Sequence, residues 1–166
     1  MPEPRKAYLT SRGKKQIQKI AKILQKKNID LIFSSPLTRT KETAQIISKA
    51  IKKPVIFSQN LKELDFGIFN GLHPNTYWAY FKNPRERFNK KIPGAENLNQ
   101  CLKRLKKFFK KINEKYSNKK FLIISHADPL WLLESIIKNR SKEQMIKTYR
   151  FRLKPGQLRC LKRVSD

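Results

Sequence analysis

The sequence is poor in acidic residues, in cysteine and in long apolar runs. Its 166 residues include 12 Asp and Glu against 39 Lys and Arg, which gives a formal net charge of +27. The two cysteines, Cys101 and Cys160, form no CxxC pair and have no metal-ligand spacing with His73 or His126, so we expect small core or half-buried residues. No apolar run approaches the length of a membrane span, and the first residues, MPEPRK, lead into no signal core. These absences predict a soluble, cytoplasmic protein without a membrane partner.

The basic charge has two interpretations. A net charge of +27 favours contact with nucleic acid, but lysines recur along most of the chain and form no single basic arm. In the densest run, residues 102–120, Leu102, Leu105, Phe108 and Ile112 recur at helical spacing, which places the lysines on the opposite, solvated face. We therefore favour a lysine-rich surface on a folded globule, which binds nucleic acid only non-specifically and draws small anionic substrates inward.

The order of predicted elements indicates one α/β domain over residues 1–166. Short apolar strands alternate with amphipathic helices, a pattern typical of a mostly parallel sheet covered on both faces, or three-layer α/β/α. The aromatic-rich stretch after the second strand predicts a partly helical, lid-like insertion at about 64–94. The predicted helices are 10–27, 36–52, 96–116 and 129–138, the predicted strands are 30–33, 54–57 and 121–124, and a terminal hairpin is predicted over 149–161.

Three side chains are candidates for chemistry, and each also has an ordinary structural interpretation. Arg39 lies in the first turn of a helix that follows a strand, where guanidinium and helix N-terminus both favour a phosphate, yet it could be an exposed surface arginine. His126 directly follows a buried-type strand, where it could donate to a phosphoryl oxygen or merely cap a helix. Glu63 begins the irregular stretch, where a carboxyl group could protonate a leaving oxygen, although most loop glutamates have no such role.

Five motifs, taken in order, resemble those of the histidine phosphatase superfamily (phosphoglycerate mutase-like). They cover essentially the whole chain and are LTSRGKKQ (9–16), SSPLTRTKETA (34–44), LKELDFGIFNG (61–71), PGAEN (93–97) and SHADP (125–129). The resemblance implies phosphoryl transfer from a small phosphorylated substrate onto a histidine and then onto water or another hydroxyl.

By the same resemblance, the catalytic residues are Arg39, His126 and Glu63. Arg39 belongs to the phosphate pocket, His126 stabilises the transferring group, and Glu63 is the general acid and base; Arg39, His126 and Ala127 bind the substrate. Positively charged donors fixed in a partly dry pocket stabilise the spread negative charge of a phosphoryl group in transit. Because Arg and His meet that charge, no metal or other cofactor is implied.

The sequence departs from the family pattern at its start. The family's first strand, followed by Arg-His-Gly with the nucleophilic histidine, has no counterpart here, since only MPEPRKAY precedes Leu9. In the family fold that strand lies centrally, between those matching 30–33 and 121–124. We expect that these two strands close on each other, that another segment fills the gap, or that the protein starts further upstream. We favour an incomplete gene model or a truncation over a pseudoenzyme, and expect the chain as given to be inactive.

Smaller departures bear on the substrate. Ala127 and Asp128 follow the second histidine, where the family usually has glycine. A carboxylate at Asp128 is unfavourable near a phosphate unless the side chain faces away or binds a substrate hydroxyl. His73 is more typical of a flexible surface residue than of a replacement nucleophile. Arg85 and Arg87 are weak evidence for a substrate carboxylate, so phosphomonoester hydrolysis is favoured over a mutase reaction.

A non-catalytic basic module that binds polyanions such as RNA is the alternative. The sequence identifies neither the substrate nor the oligomeric state.

Overall fold

The computed structural model describes residues 7–161; residues 1–6, which hold the MPEPRK segment, and residues 162–166 lie outside the described part. Ten helices and strands follow one another along the described chain. They are α1 (Ser11–Leu24), β1 (Leu31–Ser34), α2 (Thr38–Ile51), β2 (Val55–Phe57), α3 (Pro74–Ala79), α4 (Glu86–Asn89), α5 (Leu98–Lys115), β3 (Phe121–Ile124), α6 (Ala127–Ile137) and α7 (Lys142–Thr148). Short 3-10 turns span Gln59–Leu61, Gly67–Phe69 and Tyr149–Phe151.

The three strands form one parallel sheet in the order β2-β1-β3. Strand β1 pairs with β3 over four residues, from Leu31 opposite Phe121 to Ser34 opposite Ile124. The two strands expected to flank the family's central strand are therefore paired directly with each other, and whether the protein starts further upstream stays a prediction. Their backbone groups are satisfied by this pairing, and the loops that follow them become direct neighbours.

Helices cover both faces of the sheet and complete the predicted three-layer α/β/α arrangement. On one face, Ile32 of β1 and Leu122 of β3 pack against α1 and α2, which contribute Ala21 and Ala44 among other apolar residues. On the other face, alternate residues such as Phe33 pack against α5, α6 and the insertion. Successive strand side chains point to opposite faces, so the central strand β1 is buried on both sides, whereas Ile56 and Phe57 of the edge strand β2 are exposed.

Helices α1, α3, α5 and α7 begin at residues whose side chains cap them. The Thr10 side chain accepts a hydrogen bond from the Gly13 N–H at the start of α1. Asn97 and Gln100 form a capping box at the start of α5, in which each side chain bonds the backbone N–H of the other residue. Helix α2 begins at Thr38, two residues later than the proline predicted for its first turn, and Leu37 is its N-cap.

The insertion is partly helical, as predicted, and contributes to the core. Phe66, Phe69, Tyr77 and Phe88 are buried in the same cluster as the apolar residues of α5 and α6. Its function as a lid stays a prediction. None of the helices formed by residues 7–161 combines the length and the apolar character that a membrane crossing requires.

The predicted C-terminal hairpin is wrong. Residues Tyr149–Phe151 form a 3-10 turn, and no strand follows it within the described chain up to residue 161. Tyr149 packs its ring against Trp131 at 4.9 Å, and Arg159 donates to the Phe151 carbonyl at 2.8 Å. These contacts with the protein replace a ladder between two short strands, which is marginally stable by itself.

Candidate active site

Two loops meet at the carboxyl ends of β1 and β3. Ser35 directly follows β1, and its N–H donates to the carbonyl of Ile124, the last residue of β3, at 2.9 Å. His126 lies two residues beyond β3 and occupies the N-cap position of α6, but its side chain does not cap the helix. Instead, its Nε2 lies 2.9 Å from the Ser35 hydroxyl. The direct pairing of the two strands thus brings the two loops into hydrogen-bond contact.

Arg39 reaches the same imidazole from the other side. It is the second residue of α2, and its Nη2 lies 2.7 Å from Nδ1 of His126. The loop before it is fixed by Thr40, whose hydroxyl bonds the carbonyls of Ser35 and Leu37 at 3.0 and 2.8 Å. Sequence motifs 87 residues apart are therefore adjacent at the strand ends, as parallel topology predicts.

These contacts determine which nitrogen of His126 carries the proton. A guanidinium can only donate, so Nδ1 must accept from Arg39, and in the neutral ring Nε2 carries the hydrogen and donates to Ser35. Burial, with the charges of Arg39 and Arg104, lowers the pKa of His126 to about 3. His126 is therefore a neutral hydrogen-bond donor, and it cannot act as a base that activates the Ser35 hydroxyl.

Glu63 lies beside Arg39 and is protonated near neutral pH. Its Oε2 is 4.0 Å from Nη2 of Arg39, and its side chain is 15% exposed. Burial, together with the nearby carboxylate of Asp128, raises the pKa of Glu63 to about 8, against the lowering effects of the Leu64 N–H and Arg39. A carboxyl group with this pKa holds a proton that it can donate at neutral pH.

Arg104, which the sequence analysis did not single out, fixes the segment that carries Glu63. From α5 it donates two hydrogen bonds of 2.7 Å to the Glu96 carboxylate, a bidentate pair. It also donates to the carbonyls of Asn60, at 2.6 Å, and Glu63, at 3.4 Å. The sequence offers a weak signal for it, because Glu96 of the PGAEN motif and Arg104 lie about two turns apart at the start of an amphipathic helix.

The two arginines of the insertion have different positions. Arg85 is 72% exposed and pairs with Glu143 at 3.4 Å. Arg87 is buried, and its Nη2 lies 2.5 Å from Oδ2 of Asp128, which is buried as well. The idea that Arg87 holds a substrate carboxylate is not supported, because its guanidinium is already paired with a carboxylate of the protein itself.

The remaining candidate residues are Ala127, His73 and the two cysteines. Ala127 is the first residue of α6, directly after His126, where backbone N–H groups of a helix lack intrahelical partners. His73 is exposed and accepts from the Asn75 N–H as the N-cap of α3. Cys101 is buried in the core and Cys160 is exposed, and both are free thiols.

A family model of the histidine phosphatase superfamily (branch 1) matches residues 4–163. The chain belongs to this superfamily. Phosphoserine phosphatase 1 of Hydrogenobacter thermophilus is 29% identical over 130 residues, which are 74% of this chain and 60% of the relative. The uncharacterized phosphatase PhoE of Bacillus subtilis is 30% identical over 120 residues, 72% of this chain and 58% of the relative. The chain thus spans about three fifths of the length of these two relatives.

Solved structures show the same fold. A putative alpha-ribazole-5'-P phosphatase from Escherichia coli has a TM-score of 0.73 and 25% identity, covering 90% of this chain and 74% of its own. Mycobacterial glucosyl-3-phosphoglycerate phosphatase, in a complex with inorganic phosphate, has a TM-score of 0.71 and 18% identity, covering 86% and 72%. The predicted phosphoglycerate-mutase-like histidine phosphatase fold is confirmed.

Proposed function

We propose that this protein binds the phosphoryl group of a small phosphorylated substrate between Arg39 and His126, as part of phosphomonoester hydrolysis. The observation that carries the proposal is the 2.7 Å contact between these two side chains at the carboxyl ends of the strands, with Glu63 within 4.0 Å of Arg39. The planar guanidinium matches two phosphate oxygens, and Nε2–H of the neutral His126 can turn from Ser35 to a third. The N-terminal N–H groups of α6, beginning with Ala127, favour the same anion.

In the proposed reaction Glu63 supplies the proton that the leaving group needs. Its pKa of about 8 keeps it protonated at neutral pH, beside the position of the transferring group. As the P–O bond breaks, the Glu63 proton passes to the leaving oxygen, and the phosphoryl group forms a bond to a nucleophilic nitrogen. Water, deprotonated by the resulting Glu63 carboxylate, then cleaves the P–N bond and releases phosphate. Such a covalent intermediate divides one difficult displacement into two easier ones.

The nucleophile in this scheme is the histidine that the family resemblance places before Leu9. His126 engages both ring nitrogens, with Arg39 and Ser35, and His73 is the exposed cap of α3, so neither is placed to attack. We therefore propose that the sequence as it stands binds phosphate without turnover. Hydrolysis is favoured over a mutase reaction because Arg85 and Arg87 already pair with carboxylates of the protein itself and so give no evidence of a site for a substrate carboxylate.

Titration with inorganic phosphate at physiological ionic strength tests the binding step. We expect Arg39→Met to weaken phosphate binding by about 10- to 100-fold, since charge-assisted hydrogen bonds contribute about 1.5–3 kcal/mol each. The matched control is Arg85→Met, which removes an equal charge from the exposed insertion. Equal affinities of the wild type and both variants would contradict the proposal.

Turnover is tested with p-nitrophenyl phosphate and phosphoserine. We expect none from the present chain, and turnover from a chain extended upstream by in-frame coding sequence if that sequence supplies a strand and Arg-His-Gly. In the extended chain, His126→Ala and Glu63→Gln should each abolish or strongly reduce it. An extended chain that carries Arg-His-Gly, folds and binds phosphate but hydrolyses neither ester would remove the catalytic part of the proposal.

The net charge of +27 supports polyanion binding as a second candidate function. All six lysines of α5 are exposed, as for Lys110, whose side chain is 79% exposed. Affinity for RNA should then fall steeply with added salt. RNA affinity equal to that of an unrelated protein of the same charge would eliminate this candidate.

A further inference from the structure

Arg87 and Asp128 form a buried ion pair behind the candidate active site. Their closest atoms are 2.5 Å apart, with side chains 3% and 9% exposed. Arg87 also donates from Nε to the Tyr77 hydroxyl at 3.3 Å, and its guanidinium lies 4.5 Å from the Trp78 ring centre and 5.0 Å from that of Tyr149. The guanidinium is thus fixed by α3, α4 and the 3-10 turn after α7, while its acidic partner belongs to α6.

Asp128 lies where a negative charge affects the site directly. It is in the first turn of α6, two residues after His126, and that turn is where helix N–H groups favour an anion. A carboxylate there stabilises the helix but repels a phosphate that approaches the same end. Asp128 also raises the pKa of Glu63, so its charge acts on a carboxyl group of the site itself. A neutralising partner therefore matters to phosphate binding as well as to folding.

We propose that Arg87 is a positioning residue for phosphate binding: it acts through Asp128, whose carboxylate it neutralises and holds in a fixed position in the first turn of α6. The inference rests on the proposed function, because it presumes that the phosphate binds at Arg39 and His126. The inference also gives the insertion a role in the site, because Arg87 lies in α4 of the insertion. Among the contacts of residues 7–161, Asp128 is what connects Arg87 to the proposed phosphate pocket.

The competing interpretation is that the pair only stabilises the fold. The two interpretations differ in the sign of one effect. If the charge of Asp128 opposes phosphate, Asp128→Asn should leave phosphate affinity equal or tighten it, although it breaks the ion pair. If the pair is purely structural, Asp128→Asn and Arg87→Met should both weaken binding, in proportion to the damage to the α6 N-terminus.

The experiment is an isothermal titration of the full chain with inorganic phosphate at constant ionic strength. We expect Arg87→Met to weaken affinity about tenfold, because it leaves one uncompensated negative charge near a partly buried anion site. The double variant Arg87→Met/Asp128→Asn should recover affinity to within about threefold of the wild type. Arg87→Lys keeps the charge and should retain most of the affinity, and Lys110→Met controls for the loss of a distant cation.

The outcomes separate the inference from the proposed function. Insensitivity to Arg39→Met would place the phosphate elsewhere and overturn both. Sensitivity to Arg39→Met together with weaker binding in Asp128→Asn, or no recovery in the double variant, would overturn the role of Arg87 alone. If Arg87→Met does not fold, Asp128→Asn and Arg87→Lys still decide: retained or tighter binding in both supports the role, and weaker binding in Asp128→Asn overturns it. As an independent reading, Asp128→Asn should lower the Glu63 pKa measured by carboxyl NMR.

Discussion

Two ion pairs of similar chemistry lie in opposite surroundings, one buried beside the candidate active site and one exposed on α5. Arg87 and Asp128 lie 2.5 Å apart with side chains at most 9% exposed. On α5, Lys110 and Glu114 lie 3.7 Å apart, with side chains 79% and 63% exposed. The first pair has exchanged water for protein partners, whereas the second retains its hydration.

This difference indicates which charges matter for function. The interaction between two charges increases as the effective dielectric constant falls, and salt screens exposed pairs much more than buried ones. The buried cations around the site are arginines, whose planar donor groups serve several acceptors at once, as Arg104 does for Glu96, Asn60 and Glu63. The guanidiniums around the site, those of Arg39, Arg87 and Arg104, are thus buried or partly buried, whereas lysines such as Lys110 are exposed.

Breaking the buried pair should have the largest effect on stability. We expect Arg87→Met to lower the free energy of unfolding by about 3–5 kcal/mol, because it leaves Asp128 as a buried charge without its partner. Methionine retains much of the side-chain volume against Trp78 and Tyr149, so cavity formation is a smaller contribution. The measurement is urea-induced unfolding at neutral pH.

The double variant Arg87→Met/Asp128→Asn is the control for this loss. It removes both charges, and we expect it to recover much of the lost stability, since an apolar or neutral replacement of a whole buried pair is often tolerated. If the double variant were as unstable as Arg87→Met, the aromatic contacts of the guanidinium, and not the ion pair, would account for the effect.

The pH dependence of stability should show an effect of intermediate size, and that effect comes from the site and not from the surface charges. The pKa of Glu63 rises from 4.5 to about 8 on folding, so between these values the folded protein holds a proton that the unfolded chain has lost, and stability falls as pH rises. The pKa of His126 falls from 6.5 to about 3, so in that window stability rises with pH. The two trends oppose each other between 4.5 and 6.5, and the Glu63 trend alone continues to about pH 8.

From pH 6.5 to about 8 we expect a loss of about 2 kcal/mol, at about 1.4 kcal/mol per pH unit. Denaturant unfolding across this range measures it. Glu63→Gln should remove the fall above pH 6.5, and His126→Asn should extend the fall down to about pH 4.5, because the opposing trend of His126 is then absent. Carboxyl groups with lowered pKa values, such as Glu134, act below 4.5 and do not affect the upper window. A fall that persisted in Glu63→Gln would assign it to another group.

The sequence contained enough information to predict that Arg39 and His126 lie close together in the fold. Each follows a short apolar strand, and parallel strands end at the same edge of the sheet, so position along the chain predicts proximity in space. The alternating elements and the caps at Thr10 and Asn97 likewise follow from local patterns. These features depend on periodicity or on topology, which one sequence displays.

The other contacts of the site depend on packing between distant segments. Nothing local shows that Arg87, in an irregular insertion, pairs with Asp128, 41 residues later. The Ser35–His126 bond requires β1 and β3 to be direct neighbours, whereas the family pattern placed a strand between them. The terminal hairpin was wrong because Tyr149 packs its ring against Trp131 of α6, a contact between separate segments that no local pattern shows.

Removing an exposed charge of α5 should have the smallest effect. Lys110→Gln breaks the exposed pair with Glu114, and exposed pairs one helical turn apart contribute about 0.3–0.5 kcal/mol, which salt reduces further. We therefore expect the free energy of unfolding to change by less than about 0.5 kcal/mol, with phosphate affinity unchanged. Unfolding at low and at high salt measures the change, and a loss as large as that of Arg87→Met would show that the surface charges stabilise the fold as strongly as the buried pair.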